Sequence, residues 1–301
     1  HPDGVHIATG ALGRNPTIIV WNSITLSTVR KLEGFHKRAV TSLSFSNGSA
    51  GNFLVSAGQD MDHSIAIYDW RNGNLIASAK GEARKVMALS FSPDNSTIVQ
   101  CGVDHVQFWR RQGRNLLMRR GILGKKGRIQ PLLCIGWAGP FAVVGTADGH
   151  LYRFEGHMLR GSLKAHDKSV TALYSCPDGL VSGGRDRRIR IWSPGLEGRH
   201  DFDMAKLQDD KSLKGGIRAL CWEPAANTLV IGTRGGELYE ISSINGADLH
   251  GGPIVASHCV NEVWGLSIHP KKPHFATAGD DKTIRVWNYD THEMIDLLKL
   301  D

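Results

Sequence analysis

Residues 165–193 read AHDKSVTALYSCPDGLVSGGRDRRIRIWS, and the spacing within this stretch recurs along the chain. Three short apolar runs follow His166, and the turn before the third run contains an aspartate. Ser182 precedes Asp186 by four residues, and Asp186 precedes Trp192 by six. A second set with the same intervals lies near the end of the sequence: His258, Thr277, Asp281 and Trp287. A repeated pattern of this length indicates an array of similar structural units.

The whole sequence divides into seven such units. In 301 residues they average 43, within the ~40–45 residues typical of a WD repeat. Each unit has short runs of alternating hydrophobicity, broken by Gly, Asn, Asp and Pro, which is typical of strands and turns. We therefore predict an all-β protein, a seven-bladed WD-repeat β-propeller that occupies residues 1–301 as one domain. The predicted blades are 1–34, 35–80, 81–120, 121–161, 162–205, 206–250 and 251–301.

The first predicted blade lacks its innermost strand. In the other units an apolar run precedes a turn such as SPD, HPK or CPD, but no run precedes HPDG at residues 1–4. We expect the missing strand to lie upstream in a longer protein.

Composition favours a globular protein, because 41% of the residues are hydrophobic and 22% are charged. No apolar run approaches the ~18–20 residues of a membrane helix, so no membrane partner is predicted. The five cysteines include no C-x-x-C pair. Reduced thiols in a cytosolic protein are the expectation, and a disulfide framework or a zinc site is the alternative.

The net charge of +7 arises from one segment. No acidic residue lies between Asp104 and Asp148, and without the basic residues of that interval the rest of the chain sums to −1. The eight basic residues are Arg110, Arg111, Arg114, Arg119, Arg120, Lys125, Lys126 and Arg128. The charge is therefore a local property.

The two His-Ser/Thr-Asp-Trp sets have two interpretations. A Ser/His/Asp group suggests hydrolytic chemistry, but no G-x-S-x-G motif surrounds Ser182. In a propeller blade, the aspartate orients the histidine, and the hydroxyl and the indole N–H extend the network. We predict this structural role for His166, Ser182, Asp186, Trp192, His258, Thr277, Asp281 and Trp287. We predict no enzyme, no cofactor and no metal site.

Binding to partners is then the expected function. Strand order places Lys125, Lys126 and Arg128, in the loop that enters the fourth blade, on one face with Arg185, Arg187 and Arg188 of the fifth. A basic face fits an acidic protein surface or a nucleic-acid backbone. Residues 110–128 lack interleaved aromatic residues for base stacking, so nucleic acid is not predicted. A merely solvated charged face is the remaining alternative.

Three stretches make the sequence resemble one family. They are HPDGVHIATG at residues 1–10, RRGILGKKG at 119–127 and NEVWGLSIHPKKPHFATAGDDKTIRVWN at 261–288. Together with residues 165–193, they resemble the first of two tandem propellers in the echinoderm microtubule-associated-protein-like (EML) family, in the same order along the chain.

The resemblance implies a non-catalytic scaffold that binds tubulin or microtubules and partner proteins. It also implies an upstream hydrophobic motif that supplies the missing strand, a second propeller downstream, and a location at the cytoplasmic cytoskeleton. Cytosolic and axonemal microtubules both remain open. The alternative is a general WD-repeat adaptor whose cytoskeletal binding lies elsewhere in the longer protein.

Overall fold

A computed structural model describes residues 1–47, 51–81, 84–206, 216–256, 258, 263–291 and 293–300. Within these ranges the protein consists of short antiparallel strands and two 3-10 helices, Gly124–Lys126 and Met204–Lys206. The strands form seven antiparallel units of three or four strands in chain order, here called sheets; one parallel pairing, of Ser78 with Asn115, joins the second and third units into a single eight-stranded sheet. The prediction of an all-β propeller architecture is confirmed, and seven sheets are compatible with seven blades.

The first three sheets span residues 6–120. The first has three strands, β1 (His6–Gly10), β2 (Ile18–Asn22) and β3 (Thr28–Leu32). The second contains β4 (Val40–Phe45), β5 (Phe53–Gly58), β6 (Ile65–Asp69) and β7 (Asn74–Ala79). The third contains β8 (Val86–Phe91), β9 (Ile98–Gly102), β10 (His105–Gln112) and β11 (Asn115–Arg120). The first sheet therefore lacks an innermost strand, as predicted.

The next two sheets span residues 132–203. The fourth contains β12 (Leu132–Ala138), β13 (Phe141–Thr146), β14 (His150–Glu155) and β15 (Met158–Lys164). The fifth contains β16 (Val170–Cys176), β17 (Gly179–Gly184), β18 (Arg188–Trp192) and β19 (Gly198–Asp203).

The sixth sheet contains β20 (Ile217–Glu223), β21 (Thr228–Thr233), β22 (Glu237–Ser242) and β23 (Val255–Ala256). The seventh contains β24 (Val263–Ile268), β25 (His274–Gly279), β26 (Thr283–Asn288) and β27 (Met294–Lys299). Strands β15 and β23 end a few residues beyond the predicted boundaries at 161 and 250. A position where one blade ends and the next begins has no sequence marker of its own.

Burial follows the position of a strand within its sheet. All six residues of the second strand β17 are buried, whereas five of the six residues of the outermost strand β11 are exposed and only Leu116 is buried. Stacked sheets cover the middle strands on both faces, so these strands are almost continuously small or apolar.

Successive sheets pack face to face through shared apolar clusters. Val181 and Ile191 of the fifth sheet pack with Ile231 and Tyr239 of the sixth, and equivalent clusters join each earlier pair of sheets. Polar groups also cross between sheets, because Trp137 Nε1 donates to Ser90 Oγ at 3.0 Å. In strand β24 of the seventh sheet, by contrast, the apolar side chain of Leu266 is not covered by a neighbouring sheet and is 72% exposed.

Candidate functional site

The fifth sheet brings His166, Ser182, Asp186 and Trp192 together. The Nε2 atom of His166 lies 2.8 Å from Ser182 Oγ, and its Nδ1 atom lies 3.0 Å from Asp186 Oδ1. Trp192 Nε1 donates to the same hydroxyl oxygen at 2.9 Å. Because a carboxylate only accepts, His166 donates from Nδ1, and its Nε2 accepts the Ser182 proton. The hydrogen bonds therefore run in one direction, from Trp192 through Ser182 and His166 to Asp186.

Asp186 is held by the backbone as well. Its carboxylate accepts the N–H groups of Asp167, at 2.9 Å, and of Arg188, at 3.2 Å. Burial by itself would raise the pKa of Asp186. The hydrogen bonds from His166 and the two N–H groups outweigh burial, so the pKa of Asp186 lies below its ordinary value.

The seventh sheet repeats this arrangement. His258 lies 2.9 Å from Asp281 Oδ1 through Nδ1 and 2.8 Å from Thr277 Oγ1 through Nε2. Trp287 Nε1 donates to Thr277 Oγ1 at 2.8 Å. Burial opposes ionisation of Asp281, but hydrogen bonds from His258 and Thr283 place its pKa below the ordinary value.

This geometry does not suit nucleophilic catalysis. Ser182 is 0% exposed and His166 is 1% exposed, so neither side chain can contact a substrate in solution. The oxygen of Ser182 is also occupied by the indole N–H. We therefore interpret both sets as networks that hold the loop histidine, the second strand and the third strand together.

The second sheet carries a longer version of the network. His36 Nε2 lies 2.6 Å from Ser56 Oγ, but its Nδ1 contacts Ser64 at 3.1 Å, and Ser64 donates to Asp60 at 2.5 Å. The two extra residues in this turn move the aspartate outward, and Ser64 bridges the gap. Tyr68 takes the position of the tryptophan, and burial raises the pKa of its hydroxyl to about 12.

Two arginines that adjoin the networks of the fifth and seventh sheets were not among the predicted site residues. Arg285 is buried and donates from Nη2 to Asp281 Oδ2 at 3.1 Å. Arg190 occupies the same position in the fifth sheet and donates to the carbonyl oxygen of Ala165 and to Asp201. Each lies two residues before the tryptophan, and this shared spacing was the available signal.

The six predicted partner-binding residues do not form one patch. Arg128 forms an ion pair with Asp148 in the turn after β13. That turn contacts the loop before β16, because the Gly149 carbonyl accepts the His166 N–H at 2.9 Å. The loop before β16 in turn contacts Arg185, whose N–H donates to Ser169. Arg128 and the arginines of the fifth sheet therefore lie along one series of adjoining turns.

Lys125 and Lys126 lie elsewhere than expected. Lys126 Nζ donates to the carbonyl oxygen of Arg160 at 2.8 Å, and Arg160 belongs to β15, the outermost strand of the fourth sheet. The segment first runs beside β15, where the Ile122 carbonyl accepts the Leu159 N–H at 2.9 Å, before it turns back towards β12. The two lysines therefore lie on the rim. They do not share one face with Arg185, Arg187 and Arg188, contrary to the expectation from the sequence.

The six predicted partner-binding residues also differ in whether they form ion pairs within this chain. Arg188 lies 2.9 Å from Asp201 and 3.7 Å from Asp203. The Asp201 hydrogen bond is the main cause of a raised Arg188 pKa. Within the described part of the chain, Lys125, Lys126 and Arg185 are exposed and have no carboxylate within ion-pair distance. These three cations are free to meet an acidic partner.

Two other kinds of group offer potential metal-ligand atoms, a His/Asp cluster near the start of the chain and the cysteine thiols. His1, Asp3 and His6 bring three such atoms within 4.8 Å of one another. His6 Nδ1 lies 2.7 Å from Asp3 Oδ2, and Asp3 also accepts the Val5 N–H. The thiols of Cys101, Cys134, Cys176 and Cys221 are free, and Cys259 lies outside the described residues.

Comparison with known proteins first defines the class, a WD-repeat β-propeller. Residues 253–288 match the family described as WD domain, G-beta repeat. The propeller domain of Cps50 (Swd1) from Myceliophteria thermophila has a similar fold, with a TM-score of 0.68 and 19% identity over 96% of this chain and 94% of that chain. The computationally designed Ika8 protein gives a TM-score of 0.60 and 22% identity over 97% and 83% of the two chains.

Residues 1–241 match the family described as echinoderm microtubule-associated protein first beta-propeller. This chain is 32% identical to human echinoderm microtubule-associated protein-like 2 over 97% of its own length and 46% of that relative. It is 30% identical to the 77 kDa echinoderm microtubule-associated protein of Lytechinus variegatus, over 97% and 44%. The chain belongs to the echinoderm microtubule-associated protein family, as the sequence resemblance indicated.

The chain spans less than half the length of these curated relatives. Within the described residues, no helix is both long and apolar enough to cross a membrane.

Proposed function

We propose that this chain is a non-catalytic, microtubule-associated scaffold that binds tubulin and partner proteins through its propeller surfaces. Membership of the family supports the proposal, since the relatives carry microtubule association in their names. The observation that carries it is the set of unpaired cations formed by Lys125, Lys126 and Arg185. We place the protein on cytoplasmic microtubules and propose neither a nucleic-acid nor a membrane partner.

Charge makes tubulin a suitable ligand. The carboxyl-terminal tails of tubulin are strongly acidic, and complementary charge accelerates encounter and fixes orientation. Lys125 and Lys126 lie on the rim in an interval without any acidic residue, whereas Arg128 and Arg188 already bind carboxylates of this chain. We therefore assign the main contact to the two lysines, with Arg185 as a second contact.

Co-sedimentation with stabilised microtubules tests the proposal. The chain should pellet with microtubules, and the double variant Lys125→Glu/Lys126→Glu should pellet several-fold less. Removal of the acidic tubulin tails with subtilisin should weaken binding of the unmodified chain to a similar degree. The variant should retain its thermal unfolding temperature, because both side chains are exposed.

The matched control is Lys271→Glu/Lys272→Glu. These adjacent lysines are also exposed, lie in the turn between β24 and β25, and give the same change in net charge. The control should pellet like the unmodified chain. Equal loss in both variants would mean that net charge alone governs binding, and unchanged pelleting of the Lys125/Lys126 variant would exclude this rim as the contact.

The alternative is a WD-repeat adaptor that binds another protein while the rest of a longer protein binds the cytoskeleton. The short length relative to the curated relatives favours testing it. A chain that fails to pellet with microtubules but binds a defined protein partner would support the adaptor.

A further inference from the structure

A cleft of about 620 Å³ lies between the third and fourth sheets. One wall comes from the third sheet and Arg84, which precedes it, and the other comes from the segment 121–131 and the start of β12. The residues that matter for its chemistry are Arg84, Asp104, Val106, Leu123, Ile129 and Leu132. This cleft is separate from the buried hydrogen-bond networks of the fifth and seventh sheets.

The segment that forms the outer wall is fixed at both ends. The Gly121 N–H donates to Val106 at 2.8 Å, and the Ile122 N–H donates to His157 at 2.8 Å. Further along, the hydroxyl of Tyr152 accepts the Arg128 N–H at 3.1 Å and Gln130 Nε2 at 3.0 Å. These bonds join the segment to both sheets, so the cleft exists before a ligand binds and little ordering is needed.

The cleft presents apolar surface to solvent. Leu132 is buried at 2% exposure, but Ile129 is 74% exposed and Ile122, on the same segment, is 50% exposed. Single exposed apolar residues are common, but here they adjoin a concave site. An apolar ligand side chain that enters the cleft would remove Ile129 from water.

Charge around the cleft restricts the ligand. Asp104 is a carboxylate in the lining, and Arg84 donates to it at 3.0 Å. Arg120 also lines the cleft, so two arginines against one aspartate leave the lining with one net positive charge. A ligand that combines an apolar side chain with carboxylates complements this surface, whereas a basic ligand would be repelled.

We propose that this cleft binds a short segment of a partner protein in which an apolar side chain is flanked by Asp or Glu. The apolar side chain packs against Ile129 and Leu123, and the carboxylates face Arg84 and Arg120. The proposal concerns a second binding site and does not depend on the microtubule contact.

Fluorescence anisotropy tests it with the 301-residue chain and a short fluorescein-labelled peptide that has one leucine between glutamates. Two matched peptides carry alanine in place of the leucine, or glutamine in place of every glutamate. The acidic leucine peptide should bind, and either replacement should weaken binding at least about fivefold. Equal binding of all three peptides would overturn the proposal.

The protein variant Ile129→Ser should weaken binding of the leucine peptide at least about fivefold. The control is Ile24→Ser, because Ile24 is 77% exposed, as Ile129 is, and lies in the turn between β2 and β3. Both variants should unfold at the same temperature as the unmodified chain. Undiminished binding by Ile129→Ser would contradict the proposal.

Two other measurements separate the alternatives. Ile129→Ser should still pellet with microtubules, because Ile129 is not part of the proposed microtubule contact. Peptide binding and microtubule binding are therefore measured separately, and failure of the microtubule proposal would leave peptide binding intact. Failure of every peptide to bind, with Ile129-dependent binding to phosphatidylserine vesicles, would assign the cleft to a lipid surface and overturn the proposal.

Discussion

Ser182 shows how much one buried hydroxyl contributes to a blade. It accepts the Trp192 N–H and donates to His166, and His166 in turn donates to Asp186. Each of these groups is withdrawn from water, so a missing partner would cost more than the hydrogen bond itself gains. The interval of four residues between Ser182 and Asp186 places the hydroxyl and the carboxylate on opposite sides of one imidazole ring.

Ser182→Ala should lower the free energy of unfolding by about 1–3 kcal/mol, because it leaves the Trp192 N–H and His166 Nε2 buried without a partner. Urea-induced unfolding followed by tryptophan fluorescence measures the change. Ser162→Ala is the control, since Ser162 is an exposed serine in β15. If Ser182→Ala lowers the free energy of unfolding no more than the control does, the hydrogen bonds of Ser182 do not contribute to stability.

Asp186 should make stability dependent on pH in the acid range. Its pKa in the folded protein is below the ordinary value, so its contribution is present above the unfolded pKa of about 4 and is lost as the pH falls through the folded pKa. Asp186→Asn should therefore reduce stability at neutral pH and flatten its decline below pH ~4. The measurement is thermal unfolding across pH, with the exposed Asp178→Asn as control. An unchanged acid profile would contradict this assignment.

At the scale of elements, the turn between β13 and β14 joins two blades. The Gly149 carbonyl accepts the Ala165 and His166 N–H groups, both at 2.9 Å, so this turn of the fourth sheet fixes the start of the fifth. Gly149 has a φ of +89°, and a Cβ there would overlap the carbonyl oxygens of His166 and Lys168. A glycine is needed both for the backbone conformation and for the close approach.

Gly149→Ala should destabilise the protein more than Gly156→Ala. Gly156 has a φ of +57° but no neighbouring atom within 4 Å of a Cβ, so alanine there costs only about 1–2 kcal/mol for the left-handed conformation. At position 149 the overlap adds a further ~1–3 kcal/mol. Denaturant unfolding of the two variants measures the difference, and equal losses would mean that the interblade contact adjusts without cost.

Across the whole molecule, the positive charge is concentrated but partly neutralised. Arg84, Arg128 and Arg188 each bind an aspartate of this chain, so the total of +7 says little about any one surface. The unpaired lysines at 125 and 126 lie on the rim between two blades, beside the cleft.

Binding that depends on these exposed lysines should be sensitive to salt. The Debye length falls from about 10 Å at 0.1 M salt to about 3 Å at 1 M, so attraction to an acidic partner is largely screened. Microtubule co-sedimentation over this range should decline steeply for the unmodified chain and only weakly for Lys125→Glu/Lys126→Glu. A salt-independent interaction would exclude electrostatic attraction as its main source.

The sequence by itself determined the repeat, the strand-rich fold, the missing innermost strand and the membership of the four-residue networks. These features depend on short-range alternation and on fixed intervals within a blade, which the order of residues records directly. The sequence did not reveal that Ser64 bridges His36 and Asp60 in the second sheet, although the two extra residues of that turn were visible in it.

Only the tertiary structure decided where the charges lie and which of them are free. Arg188 meets Asp201 across a strand pair, Lys126 meets the Arg160 carbonyl 34 residues away, and the cleft forms between two blades. Such contacts depend on the path of a connecting segment and on the packing of separate sheets. Neither follows from periodicity, because a loop carries no repeating pattern that fixes the side of a blade on which it runs.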